Sequence, residues 1–205
     1  MNRSESRSNG SMGMAENRLI DAPACHVCAS PSCTNRGDKC PGPVTASPRA
    51  TALQYVQLGW WVIPLCWPDA RGKCGCGRGH QSQNVGKAPL TKHGVRDSSD
   101  QVILIRNWWT KWPNANIGID LKRSGLFVIA PDSPEWLDHF AAKGLTPTVV
   151  VKSGGGEGHF HYYYRRPLDA PIFRINRSSE YDIQSDGYMV APPSRHASGR
   201  IYLWI

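Results

Sequence analysis

The strongest constraint on the fold lies between Ser124 and Ile205, where strand-forming runs alternate with short breaks and each run presents a polar group. Leu126 to Ile129 are apolar and rich in β-branched or aromatic residues, the pattern of a buried strand. That strand delivers Ala130, Pro131 and Asp132 at its carboxyl end. A second pattern, Thr148 to Arg165, is broken by Gly154-Gly155-Gly156-Glu157-Gly158 and resumes at His159-Phe160-His161-Tyr162-Tyr163-Tyr164. A period of two puts His159, His161 and Tyr163 on one sheet face. The turn from Ser153 to Gly158 lets backbone amides approach an anion closely. A third run, Tyr181-Asp182-Ile183, leads into Gly187-Tyr188-Met189-Val190-Ala191-Pro192-Pro193-Ser194. One acid, one histidine and a second acid, each on a strand or at its end, are the parts of a metal-dependent site.

The remaining stretches give further helix and strand patterns. Ala50 to Leu58 has helical spacing, with Gly59 as its stop, and Trp60 to Leu65 reads as a strand with both tryptophans in the core. Asp100 to Trp112 reads as an amphipathic helix with Ser98 or Ser99 as N-cap and Val102, Ile105, Trp108 and Trp109 on one face. Asn116 to Asp120 and Leu126 to Ala130 read as a hairpin around Lys122-Arg123-Ser124-Gly125. Pro134 to Gly144 is a further helix with Trp136, Leu137 and Phe140 inward, and Gly199 to Ile205 a last strand.

The chain has seven cysteines, in two groups. Cys25, Cys28, Cys33 and Cys40 follow a C-x2-C-x4-C-x6-C spacing that can close a tetrahedral zinc site; the alternative is a reduced, cysteine-rich linker. Cys66, Cys74, Cys76 and His80 form a second possible metal cluster, with His93 a weaker choice. Residues 1–24 read as a mobile polar tail, residues 25–48 as knuckle and linker, and residues 49–205 as the principal domain. The N-terminus has no apolar h-region and no apolar run approaches the length of a membrane span, so a cytoplasmic setting is expected. In that setting the thiols suit metal ligation better than disulfides. A net charge of +8 suits a polyanionic partner. Arg165, Arg166, Arg174 and Arg177 could line a nucleic-acid backbone or be ordinary surface charge.

The order of these blocks resembles the bifunctional primase/polymerase (prim-pol) domain of the archaeo-eukaryotic primase superfamily. That family shows a hydrophobic strand ending in Asp-x-Asp, a glycine turn with a histidine strand, then a hydrophobic-Asp strand before Gly-Tyr-x-x-x-Pro-Pro-Ser. Gly59-Trp60, Pro64-Leu65, Gly86-Lys87-Ala88-Pro89, Trp108-Trp109 and Asn116-Ile117-Gly118-Ile119 extend the likeness to about residues 50–205. The resemblance implies an α/β (α+β) fold in which an RRM-like, mostly antiparallel sheet packs against an N-terminal αβ module, with nucleotide in the cleft between. It implies Mg²⁺ or Mn²⁺ on Asp132 and Asp182. It also implies triphosphate contacts from His161, Lys87 and Ser153, with His159 as alternative to His161. The implied partners are a single-stranded DNA template with primer, an NTP or dNTP, and a helicase module in cis or in trans. The setting would be the replication protein of a phage, plasmid or similar element. Relatives continue beyond the last strand, so a longer parent chain is expected.

One position departs from the pattern. Ala130 stands where the family carries the first Asp of Asp-x-Asp, and a methyl group cannot bind a cation. Asp120, across the expected hairpin, is a poor replacement. The expectation is a primase/polymerase domain with impaired nucleotidyl transfer; the alternative is a non-catalytic nucleic-acid or nucleotide-binding module on the same fold.

Overall fold

A computed structural model describes residues 47–131, 133–145, 149–156, 158–177 and 180–205. The expected zinc knuckle (Cys25, Cys28, Cys33, Cys40) and Asp132 lie outside the described residues. The elements run α1 (Pro48–Gln57), β1 (Trp61–Leu65), α2 (Val102–Lys111), β2 (Asn116–Asp120), β3 (Leu126–Pro131), α3 (Pro134–Ala142), β4 (Val149–Lys152), β5 (Phe160–Arg165), β6 (Arg174–Arg177), β7 (Tyr181–Gln184), β8 (Tyr188–Ala191) and β9 (Leu203–Trp204). Two antiparallel sheets result, one of three strands in the order β1-β2-β8 and one of six in the order β6-β7-β3-β5-β4-β9. This is the expected α+β class. Among the described residues no helix is long and apolar enough to cross a membrane.

Local chemistry explains the helices. Ser47 caps α1 by accepting the Ala50 N–H, and Pro48 sits at the first turn where its missing N–H has no consequence. Gly144 ends the segment after α3 with φ +80°, a left-handed conformation that glycine adopts without a Cβ penalty. At α2 the expected cap is not used. Gln101 holds the N-cap position without a side-chain bond; Ser99 Oγ accepts the Gln101 N–H and Ser98 turns inward to Asp120. Ile105 and Trp109 are buried, whereas Val102 faces outward.

The expected hairpin of β2 and β3 does not form. Both edges of β2 are taken, by β1 on one side and by β8 on the other, and all five of its residues are buried. The Asp120–Gly125 turn, closed by Ser124 N–H to Asp120 O and Leu126 N–H to Leu121 O, instead sends β3 into the second sheet. Trp60 is core as expected, but Trp61 is only partly buried and lies 4.9 Å under the Arg123 guanidinium. The N-terminal module is also not contiguous in sequence, because β8 completes its sheet.

One core joins the two sheets. Ala52, Tyr55, Ile63, Leu65, Ile105, Ile117 and Ile119 pack with Val128, Val149, Val151 and Tyr163 of the larger sheet. Tyr55 tightens this joint, donating to Pro192 O (2.6 Å) and accepting from Trp204 Nε1 (2.8 Å). The opposite face of the larger sheet carries Ile129, Tyr162, Tyr164 and Ile183 and is covered by Trp136 and Phe140 of α3.

Candidate functional site

The site is built on the sheet face that meets the N-terminal module. β3 runs between β5 and β7, and Ala130 is paired with Asp182 in the β3–β7 register. On the other side β3 and β5 pair Ile129 with Tyr162, and one further step sets His161 opposite Ala130. Directly opposed residues of antiparallel strands share a face, with Cβ atoms about 4.5–5.5 Å apart. His161, Ala130 and Asp182 therefore form one row. That row continues through Val151, which pairs with His161 and is buried in the shared core. The register thus places His161 and Asp182 on either side of position 130, and the methyl of Ala130 stands between two groups that could act on a cation or phosphate.

The electrostatics at His161 identify its neighbours. Burial, then the Lys87 charge and then His159 lower its pKa to about 4, so the ring is neutral near pH 7. Its Nδ1 is buried and finds no hydrogen-bond partner among the described residues. A neutral imidazole beside a lysine can offer its one ring N–H to an anion. His159 precedes β5 rather than lying on it; its carbonyl accepts the Ser153 N–H, which closes the glycine turn (2.9 Å). Ser153 is buried, and its Oγ accepts the Gly155 N–H at 3.3 Å. Its side chain thus orders the turn.

Lys87 is presented by a turn fixed from three sides. Gly86 has φ +80°, and a Cβ there would stand 3.0 Å from Arg195 O and 3.3 Å from Asn116 Nδ2, so the position requires glycine on two counts. Asn116 Nδ2 donates to Gly86 O (2.8 Å) and Arg195 O (2.7 Å), while its Oδ1 accepts the Arg195 N–H (2.9 Å). Tyr188 Oη donates to Lys87 O (3.0 Å). One buried amide on β2 thereby ties the lysine turn to the segment after β8.

That segment supplies a residue the sequence reading missed. His196 lies against Gly154, where a methyl group would overlap its Cβ and come within 2.7 Å of its Cγ. Burial first, then Lys87, Arg200 and His159, lower the His196 pKa. Ser198 Oγ donates to Gly154 O (2.8 Å), locking the glycine turn onto the same segment. Lys87, His159, His161, His196 and Arg200 thus share one electropositive field. The signal for His196 was its place two residues beyond Ser194, the end of the Gly187–Ser194 motif.

Asp120 has a structural role. It is buried, and it accepts Ser98 Oγ–H at 2.6 Å and the Arg123 N–H at 3.0 Å. At the other end of β2 from Asn116, it does not substitute for a carboxylate at position 130. Cys66, Cys74, Cys76 and His80 do come together on the loop after β1, whereas His93 is elsewhere, paired with Asp97 at 3.0 Å. Of the four arginines, Arg165 and Arg174 are exposed, and Arg166 is bonded to Ala170 O.

A family model described as bifunctional DNA primase/polymerase, N-terminal, matches residues 52–205. No curated protein matches the chain.

Proposed function

The chain belongs to the bifunctional DNA primase/polymerase N-terminal family, and from that premise we propose that it is a template-directed nucleotidyltransferase domain weakened at one metal ligand. Family membership implies DNA and nucleotide substrates and divalent-metal chemistry. The observation that carries the finer reading is the row His161–Ala130–Asp182, with Lys87 acting on one end of it.

The residues divide the work by chemistry. Lys87, as a point charge, and neutral His161, through a ring N–H, would hold the triphosphate, with His159 and His196 at the periphery. The glycine turn from Ser153 adds backbone amides that can face phosphate oxygens. Asp182 and Asp132 would hold Mg²⁺ or Mn²⁺, hard cations that take oxygen ligands. Such ions supply alignment of a primer 3′-hydroxyl with the α-phosphate and offset of the charge that develops in transfer. The donor set fits this only in part, because Ala130 puts a methyl where the strand geometry sets a side chain beside Asp182. Loss of a carboxylate there weakens cation binding and leaves nucleotide contacts intact.

A primer-synthesis and primer-extension assay with Mn²⁺ on Ala130→Asp tests the reading. Product from the acid-restored chain, and little from the parent, supports it. Absence of metal-dependent product from Ala130→Asp, with folding intact, rules out the polymerase reading. Retained binding of DNA or nucleotide in that case would leave a non-catalytic binding module on the same fold.

A further inference from the structure

Between β1 and α2 the chain runs through a long loop whose only helical turns are two short 3-10 segments. Loops of this length inside compact domains need an internal anchor or a function. This one gathers three thiols and an imidazole. Cys74 Sγ lies 3.1 Å from Cys76 Sγ and 3.3 Å from His80 Nδ1, and Cys76 Sγ lies 3.5 Å from the same nitrogen. One donor atom each from Cys66, Cys74 and His80 fall within 4.8 Å of one another. Tetrahedral zinc with Zn–S near 2.3 Å and Zn–N near 2.05 Å separates its ligands by about 3.8 Å (S to S) and about 3.6 Å (S to N). To accept an ion the Cys74–Cys76 pair therefore has to open by about 0.7 Å and the two sulfur–nitrogen pairs by at most about 0.3 Å, while Cys66 closes from within 4.8 Å of Cys74 and His80.

The surroundings support metal ligation. Cys66 Sγ accepts the Gly86 N–H at 3.2 Å, the kind of outer contact that fixes a thiolate ligand. The hairpin carrying the other two thiols is shaped by its own backbone, with a Pro68–Cys74 bridge and Gly75 N–H donating to Trp67 O at 2.8 Å. Gly75 must be glycine, because a Cβ would stand 2.5 Å from Trp67 Nε1. That close approach lets Cys74 and Cys76 point to one centre across a single intervening residue. Three soft thiolates and one imidazole are a zinc donor set.

We propose that Cys66, Cys74, Cys76 and His80 form a structural Zn²⁺ site that anchors the Gly86–Lys87 turn. The link is direct: the ligand Cys66 holds the Gly86 amide, one residue before the lysine. The proposal does not depend on whether the chain polymerises.

The test uses the 205-residue chain with Cys25, Cys28, Cys33 and Cys40 changed to serine, so that one cysteine group remains. This protein is expected to retain about one equivalent of zinc through gel filtration and, on exchange with Co²⁺, to show thiolate-to-cobalt absorption with tetrahedral d–d bands. His80→Cys should keep the metal and strengthen the thiolate band, whereas Cys74→Ser with Cys76→Ser should lose it. The His80 variant retains the site, so it separates ligation from failure to fold. Stripping zinc should speed hydrogen exchange of the peptide spanning residues 84–90 by about tenfold or more, as its anchored amides open locally. Absence of zinc and of a cobalt spectrum overturns the site. An unchanged cobalt spectrum in His80→Cys removes His80 from the ligand set, and unchanged exchange on stripping refutes the anchoring role.

Discussion

Restoring a carboxylate at position 130 should weaken the metal-free protein and strengthen its response to divalent cations. In Ala130→Asp the new side chain is paired with Asp182 across β3 and β7. Cross-strand pairs stand about 5 Å apart. At that distance two like charges repel by about 3 kcal/mol at an effective dielectric of 20 and by less than about 1 kcal/mol in water. Both positions are partly exposed, so the working figure is about 1–2 kcal/mol. For a domain of this size that corresponds to a melting temperature roughly 2–8 °C lower in EDTA. Millimolar Mn²⁺ should return the variant to the parent value or above it, while the parent shifts little. Thermal denaturation followed by tryptophan fluorescence, with and without Mn²⁺, gives both numbers. Primer extension on the same preparations should show a gain of about three orders of magnitude, since charge stabilisation by a bound metal contributes several kcal/mol. Equal melting temperatures in EDTA, together with no Mn²⁺ effect, would refute the placement of the two side chains at one cation position.

The remaining predictions concern the scaffold. His161 has a folded pKa near 4, below its unfolded value, so the folded state binds fewer protons between about pH 6.5 and 4 and stability falls as pH drops through that window. Urea denaturation at pH 7 and pH 4.5 should show the loss, at most about 3 kcal/mol, and His161→Gln should reduce it. Lys87→Ala should move the His161 titration upward, read by NMR of its ring protons, because it removes a neighbouring positive charge. Gly154→Ala forces a methyl into His196, and an overpacked site of this kind costs about 1–3 kcal/mol; nucleotide titration should show weaker binding as the turn shifts. Ser98→Ala removes a 2.6 Å bond to buried Asp120 and should lower unfolding free energy by about 1–3 kcal/mol without altering nucleotide affinity.

Much of the site was legible because it follows local rules. The period-two pattern through His161 and Tyr163 gave the sheet face, and the apolar run before Ala130 gave the strand that carries it. Helix α1 was legible from its helical spacing and the Gly59 stop, but its start at Pro48, with Ser47 as cap, lies in the stretch read as linker. What could not be read was decided by distant partners. β2 and β3 are adjacent in sequence and both strand-like, yet β2 already has β1 and β8 on its two edges. Ser98 resembles a cap, but the buried charge of Asp120 has the stronger claim on its hydroxyl. His159 continues the alternation in sequence and falls just outside the strand, because its carbonyl closes the glycine turn. His196 gains its position from contact with Gly154, which no local pattern encodes.

The return of β8 to the first sheet has a bearing on how the protein is made. Strand β2 waits for its second neighbour until residues 188–191 have been added, and Asn116 waits for Arg195. A ribosome-bound chain that has exposed only residues 47–145 holds the lysine turn and β3 but cannot complete the sheet beneath them. Pairings this distant are slow to form, because a long loop must close before they give any return. The cleft therefore matures late, after almost the whole described sequence has been synthesised, and a fragment cut between β3 and β8 leaves both pieces with an open strand edge where the intact chain has none.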